Sequence, residues 1–210
     1  MGIPERKERD KQEIYERILE GALRMFGEHG YEKTTIRKIA SEIEYSAATI
    51  YLYFPGGKDE LMYALHEEMF QQLHRHMQAA FAVGHPVERL RKLGRIYIQF
   101  ALEHPCYYDL MFVERPPMKS PIAHKKWDTA LKTLDALYQV VKTCIDTGYI
   151  GSHHDIRVLC HTIWSFVHGI VTLHNRDRMR IYGEDSDWQQ LIQASLDAFV
   201  DMLLADKRHA

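Results

Sequence analysis

Apolar residues recur at intervals of three and four along almost the whole chain, and no stretch of useful length alternates apolar with polar as a half-buried strand would. That single property predicts an all-α fold. Ile14, Ile18, Ala22, Met25 and Phe26 share one helical face, and the glycine of His29-Gly30 ends this first helix in a left-handed turn. The next elements are short. Thr35 caps a helix running to about Ile43, and Ser46 caps another running to about Phe54. Pro55-Gly56-Gly57 stops the chain, and Lys58-Asp59-Glu60 opens a longer helix with two acids in its first turn, where the helix dipole favours them.

Further along, His85-Pro86, His104-Pro105 and Ser120-Pro121 place proline where a first helical turn tolerates it. Ser152-His153-His154-Asp155 and Ser186-Asp187-Trp188-Gln189 read as capping boxes with a serine at each cap. About nine helices result. Trp127, Leu131, Leu134, Tyr138, Val141 and Ile145 make a narrow apolar stripe, whereas the helix from Ile156 to Leu173 is apolar on most of its circumference. Such a helix needs cover on two sides, one from its own core and one from a partner subunit. The clearest boundary lies near Lys58, so residues 1–57 and 58–210 are read as two domains.

Composition narrows the function. Of 210 residues 46% are hydrophobic and 27% charged, which is ordinary for a folded domain, and 27 basic against 29 acidic side chains leave a net charge of -2. This balance excludes a polycationic nucleic-acid coat or a polybasic membrane anchor. The N-terminus alternates charge without an apolar stretch, and no apolar run approaches the roughly 20 residues of a membrane helix. Cys106, Cys144 and Cys160 are odd in number and too far apart for a CxxC pair, which fits a reducing compartment. A cytoplasmic protein without a membrane partner is expected.

Two short capped helices joined by a tight turn form a helix-turn-helix geometry, able to lay the second helix in a DNA major groove. Ile36, Ile39, Ala40, Ile43, Ile50 and Phe54 supply its small core and leave Ala47, Ala48, Thr49, Tyr51 and Tyr53 for the outer surface. Small residues allow close backbone approach, Thr49 offers a hydroxyl and a methyl, the tyrosines offer phenols to phosphates, and Arg37 reaches a phosphate or a guanine edge. Residues 33–41 hold three basic side chains and no acid, and residues 45–58 hold no acid at all, with Glu42 and Glu44 between. Lys58 sits at a helix N-terminus, where amides and ammonium can grip one phosphate together.

The run TTIRKIASEIEYSAATIYLYFPGGKDEL, residues 34–61, resembles the DNA-binding signature of the tetracycline-repressor (TetR) family of bacterial transcriptional regulators, and the likeness extends back through FGEHGYEKTT to Ile14. The resemblance implies a homodimeric, ligand-responsive repressor that binds a pseudo-palindromic operator. It places Thr35 and Arg37 on the supporting helix, Ser46, Ala47, Ala48, Thr49, Tyr51 and Tyr53 on the reading helix, and Lys58 as a phosphate clamp. Three departures stand out. Glu44 replaces the usual turn glycine, Ala47 and Ala48 replace residues more often polar or glycine, and the Pro55-Gly56-Gly57 stretch is one residue longer than usual.

His104-Pro105 through Leu110-Met111-Phe112, with Trp164 and His168-Gly169, resembles the subgroup of the family with a Trp...His-Gly signature in its C-terminal half. That half is implied to bind an effector and to dimerise through its last two long helices, about residues 155–175 and 187–204. Candidate linings of a small, largely apolar effector pocket are Tyr97, Phe100, Met111, Phe112, Trp127, Leu131, Trp164 and His168. Residues 114–121, with three prolines, form a gate or a rigid connector, and His168 either orients a polar ligand group or bonds a buried carbonyl.

Other classes weigh less. His154, His161 and His168 recur every seven residues, about 10 Å of helical rise, which is too far for one ion without a partner helix. A metal-responsive or thiol-responsive regulator on the same fold, and a helical protein-interaction adaptor, remain the alternatives. No resident metal or cofactor is expected, and no Walker loop, GxGxxG, HExxH or GxSxG sequence marks an enzyme.

Overall fold

In a computed structural model, residues 3–113, 128–183 and 187–205 are described, and among them there are nine α-helices and no strand. Helix α1 is Ile3–Lys33, α2 Ile36–Glu42, α3 Ala47–Tyr53, α4 Gly57–Met77, α5 Pro86–Glu103, α6 Pro105–Tyr108, α7 Asp128–Asp146, α8 Ile156–Asn175 and α9 Trp188–Ala205. Short 3-10 turns follow α4 and α8, and a π turn at Asp109–Val113 continues α6.

The chain forms two compact units. The first holds Met1–Phe70 and Cys106–Asp128, and the second Gln71–Pro105 and Thr129–Ala210. This division cuts α4 at residue 70, beyond the boundary at 57/58 read from the change in helix length.

In the first unit α1 bends at Gly30, with φ 76° and ψ 163°, a conformation that a side chain would strain. Thr34 is fully buried there, its hydroxyl 2.9 Å from the carbonyls of both Met25 and Gly30, so the bend leaves few backbone acceptors bare. Thr35 accepts from the Lys38 amide and Ser46 from the Thr49 amide, so both expected caps form. The turn between α2 and α3 keeps its left-handed position although a glutamate fills it, Glu44 having φ 59°. A side chain in that region costs roughly 1 to 2 kcal/mol. Glycine would relieve this cost while adding roughly 0.5 to 1 kcal/mol of unfolded-chain freedom. Glu44→Gly should therefore raise the melting temperature by about 2 to 4 °C. An unchanged or lower value would show that the turn is not strained.

The second unit is built on α5, which packs against both α8 and α9. Gly94 lets α5 approach α9 closely, since a Cβ there would lie 2.9 Å from a Leu196 methyl. Arg91, with a side chain only 12% exposed, meets Glu88 on its own helix and Asp197 and Asp201 on α9, while Arg95 also bonds Asp197. Phe166 of α8 stacks on Phe199 of α9 at 3.9 Å between centroids.

Four expectations are corrected. Helix α8 begins at Ile156 with Asp155, not Ser152, as its cap, Asp155 accepting from the Arg157 amide at 2.8 Å. Ser186 lies outside the described residues, and Asp187 caps α9 by accepting from the Gln190 amide at 3.0 Å. On α7 the expected stripe is split: Leu131, Leu134 and Tyr138 are exposed, while the buried face runs through Thr133, Ala136, Leu137, Val140, Val141 and Cys144. The 20-residue α8, with mean hydropathy 1.4, is also long and apolar enough by length and composition to cross a membrane, contrary to the expectation of no such run. Here Leu159, Ile163, Val167 and Val171 of α8 are buried within the protein, while Val158, Trp164 and Leu173 remain exposed.

Candidate functional site

Helix α3 is seven residues long and its phase is fixed from one side. Ile50 is fully buried and Phe54 is 2% exposed and stacked on Tyr15 of α1, so the opposite side of the helix faces outward. That side presents Ala48, Tyr51 and Leu52, the last two 49% and 81% exposed. Ala47, Thr49 and Tyr53 lie half-buried on the flanks. Leu52 is absent from the residues picked out by sequence, yet the signal existed: two positions from Ile50 and Phe54 along a 100° helix is the outward side.

The polar side chains of the element are partly committed. Ser46 Oγ accepts from the Thr49 amide at 3.0 Å and also lies 2.8 Å from the Thr49 hydroxyl, so cap and hydroxyl serve each other. Thr35 is exposed and caps α2. Arg37 is exposed on α2 and forms no ion pair among the described residues. Of the two acids that interrupt the basic stretch, Glu42 is tied to Arg24 of α1 at 3.3 Å. Tyr51 packs over Gly57, where a Cβ would fall 3.3 Å from its ring; Gly57 has φ 66°, so both space and backbone favour glycine there.

Lys58 is held rather than free. Its ammonium donates to the Tyr31 carbonyl at 2.9 Å and lies 4.0 Å from the centre of the Tyr31 ring. The Tyr31 hydroxyl in turn bonds Asp59, and burial together with that carboxylate pushes the phenol well above its usual pKa. At the start of α4 the Gly56 amide donates to Glu60 at 2.8 Å, so an internal carboxylate already occupies part of the expected anion site. An ammonium carries three donors, and with one on the carbonyl and one face on the ring a further N–H is left for a phosphate. Sequence shows the charge of Lys58 but not the carbonyl 27 residues upstream that holds it.

Below this surface, His66 on α4 donates from Nε2 to the carbonyl of Leu110 at 2.6 Å and ties the π turn into the first unit. Phe112 packs on Phe70 and Tyr108, Met111 is 5% exposed, and the Cys106 thiol sits 3.7 Å from the Leu23 carbonyl. Burial lowers the pKa of His66 below its ordinary value of 6.5. The folded unit therefore keeps it neutral while the unfolded chain takes a proton as pH falls below about 6.5. Stability is complete above that pH and is lost as pH falls through it, at up to about 1.4 kcal/mol per pH unit for one histidine. Urea midpoints at pH 7.5 and 5.5 should fall for the native chain and fall less for His66→Gln. An equal slope in the two proteins would remove His66 as the titrating group.

The expected effector residues are distributed over both units. In the second unit the Tyr97 hydroxyl lies 3.1 Å from His168 Nδ1, and Trp164 packs on the same imidazole at 5.7 Å, so these three come together. Burial lowers the pKa of His168, which keeps it neutral at pH 7. Phe100 contacts His76 and His104 instead, and Leu131 is 59% exposed. Met111 and Phe112 belong to the first unit. Trp127 and residues 114–121 lie outside the described residues. A cavity of about 470 Å³ lies elsewhere in the second unit, among Ile150, His154, Leu159, Phe199, Met202 and Leu203.

Among the described residues no three histidine, cysteine or acidic side chains converge as metal ligands, and His154 precedes α8 rather than sharing a stripe with His161 and His168. Burial pushes the Cys144 and Cys160 thiols up to about 11, so both stay protonated and unreactive at neutral pH.

Comparison with known proteins gives a consistent result. Residues 18–65 match the family model described as bacterial regulatory proteins, tetR family, and residues 90–203 match a tetracyclin repressor-like C-terminal domain. The transcriptional repressor AcnR of Corynebacterium glutamicum is 32% identical over 150 residues, covering 69% of this chain and 72% of that protein. AcnR of Corynebacterium efficiens is 43% identical over 147 residues, covering 68% and 71%. The crystal structure of the regulator FadR from Bacillus subtilis, in complex with stearoyl-CoA, superposes with a TM-score of 0.73 at 20% identity, covering 91% of this chain and 98% of that one.

Proposed function

This chain belongs to the TetR family of bacterial regulatory proteins, and from that premise we propose that it is a cytoplasmic transcriptional repressor, not an enzyme, that binds a pseudo-palindromic operator as a homodimer and releases it on binding a small, largely apolar effector. The observation that carries this reading is the outward face of α3, set on an acid-free stretch, with Arg37 exposed on the preceding helix α2. Residues 1–57 form the DNA-binding domain in this reading, and residues 58–210 the effector and dimerisation domain. Two α3 helices enter successive major grooves about one helical turn apart. Ala47, Ala48, Thr49, Tyr51 and Tyr53 approach the bases and flanking phosphates, Thr35 and Arg37 position the element, Ser46 braces its cap, and Lys58 takes a phosphate from its seat on Tyr31.

For the effector, Tyr97, Trp164 and His168 are the residues that the fold gathers, and they are the first to test, with Phe100, Met111, Phe112, Trp127 and Leu131 after them. A neutral His168 suits a ligand carbonyl or hydroxyl better than a carboxylate, which a charged imidazolium would pair with. Because the structural neighbour from Bacillus subtilis was solved with stearoyl-CoA, long-chain acyl thioesters are the first class to titrate. Coupling in such regulators is typically about 1 to 3 kcal/mol and reciprocal, so operator DNA should weaken effector binding by the factor with which the effector weakens DNA binding.

The test is binding of the purified chain to duplexes enriched from a random-sequence pool, across a range of salt. Tyr51→Ala and Lys58→Ala should weaken binding while leaving the dimer intact, and loss of one phosphate contact should flatten the salt dependence by about 0.9 in log–log slope for Lys58→Ala. Native affinity in both variants would reject the proposed surface.

A further inference from the structure

The outward face of α3 is unusual in what it lacks. Between Ala47 and Tyr53 there is no charged side chain, and no asparagine or glutamine to bond a base edge in two places. The Thr49 hydroxyl is engaged by Ser46, and Tyr53 is half-buried. What remains outward is the Ala48 methyl, the exposed half of the Tyr51 side chain, and the isobutyl group of Leu52 at 81% exposure, among the most exposed large apolar side chains described. Leu52 and Ala48 lie four residues apart, one above the other on the helix. They form a small apolar surface at the centre of the element proposed to enter the major groove.

Among the groups on base edges in the major groove, the C5-methyl of thymine is the one that an apolar surface can distinguish. We propose that Leu52, backed by Ala48, reads thymine methyl groups and is a specificity-determining residue of this protein. The inference rests on the operator-binding reading and deepens it: hydrogen bonding falls to Tyr51 and Arg37, and base identity at the position facing Leu52 is carried by a methyl contact. Leu52 contributes nothing to the core of its own unit, so its replacement tests the contact without disturbing the fold.

Deoxyuridine in place of thymidine deletes the methyl and leaves every hydrogen-bonding group in place. Duplexes enriched by the full-length chain from a random pool are resynthesised with deoxyuridine at each thymine in turn, in both half-sites. Burial of one methyl-sized group corresponds to about a fourfold change, or about fifteenfold for a symmetric pair. At one thymine position or more, deoxyuridine should weaken the native protein by that factor. Leu52→Ala should bind the thymine duplex more weakly and show no further loss with deoxyuridine. The inference is overturned if the enriched half-sites lack thymine, if no position responds, or if Leu52→Ala keeps the full response. Failure to enrich any duplex would instead overturn the operator-binding reading, and this inference with it.

Discussion

Replacing Gly21 by alanine should weaken operator binding about ten- to hundredfold, the worth of one well-aligned base contact, although glycine-to-alanine changes inside helices usually stabilise. A Cβ at Gly21 would lie 2.2 Å from Cγ2 of Ile43 and 3.9 Å from Cγ2 of Ile39. The first distance is impossible, and the atom it meets belongs to a β-branched side chain with little rotameric freedom. Helix α2 must therefore move off α1. Overpacking of this kind costs about 1 to 3 kcal/mol, against a gain of about 1 kcal/mol from helix propensity, so the melting temperature should fall by only a few degrees. The larger effect falls on DNA, because Ile43 directly precedes the strained Glu44 turn that aims α3. Ile43→Ala removes the offending methyl, so the double variant should recover most of the lost affinity. A Gly21→Ala protein with native affinity, or a double variant no better than the single one, would show that the spacing of α1 and α2 does not set the aim of α3.

The parts of the fold that sequence made legible are those governed by local chemistry. Thr35 and Ser46 cap because each precedes an apolar run directly, Pro86 starts α5 because its missing donor is harmless in a first turn, and Gly30 takes positive φ where the helix has to bend. Where two local solutions compete, sequence chose wrongly. Ser152 and Asp155 both carry a capping oxygen, and the choice went to Asp155 because helical packing begins only at Ile156. Helix α7 offers two apolar stripes, and the one turned inward carries Thr129 and Thr133, whose hydroxyls can be satisfied within the helix: Thr133 donates to the Thr129 carbonyl at 3.0 Å. Periodicity finds a stripe but does not say which of two faces the neighbour lies on. The candidate DNA surface was legible as a segment and not as a face. Choosing Thr49 and Tyr53 over Leu52 followed polarity, whereas the phase set by Ile50 and Phe54 decides exposure.

Gly169→Arg should turn a dimer into a folded monomer and lower operator affinity by roughly 10²- to 10⁴-fold, the usual gain from joining two weak sites. The outer faces of α8 and α9 carry small and apolar residues in line. Val158, Thr162, Ser165, Gly169 and Leu173 recur along α8 at helical spacing, with Val158 58% and Leu173 49% exposed, and Ala194, Ala198, Met202 and Ala205 do the same along α9. These are the faces proposed to meet a second copy, and Gly169 lies inside α8, where it would let the two chains approach closely. Within one protomer nothing beyond the adjoining backbone of α8 itself lies within 4 Å of a Cβ at Gly169, so arginine has room there and adds helix propensity worth about 1 kcal/mol. Any loss must then come from the missing partner, which also lowers the melting temperature by mass action; a native helical circular-dichroism spectrum with a cooperative unfolding transition would separate this from misfolding. The size of the loss follows from charge: the element carries only Lys33, Arg37, Lys38 and Lys58 across residues 33–58, and so few cations per subunit give one half-site little hold on phosphate. Sedimentation that still shows a dimer, or a monomer that keeps native operator affinity, would refute the proposed interface in the first case and the need for two half-sites in the second.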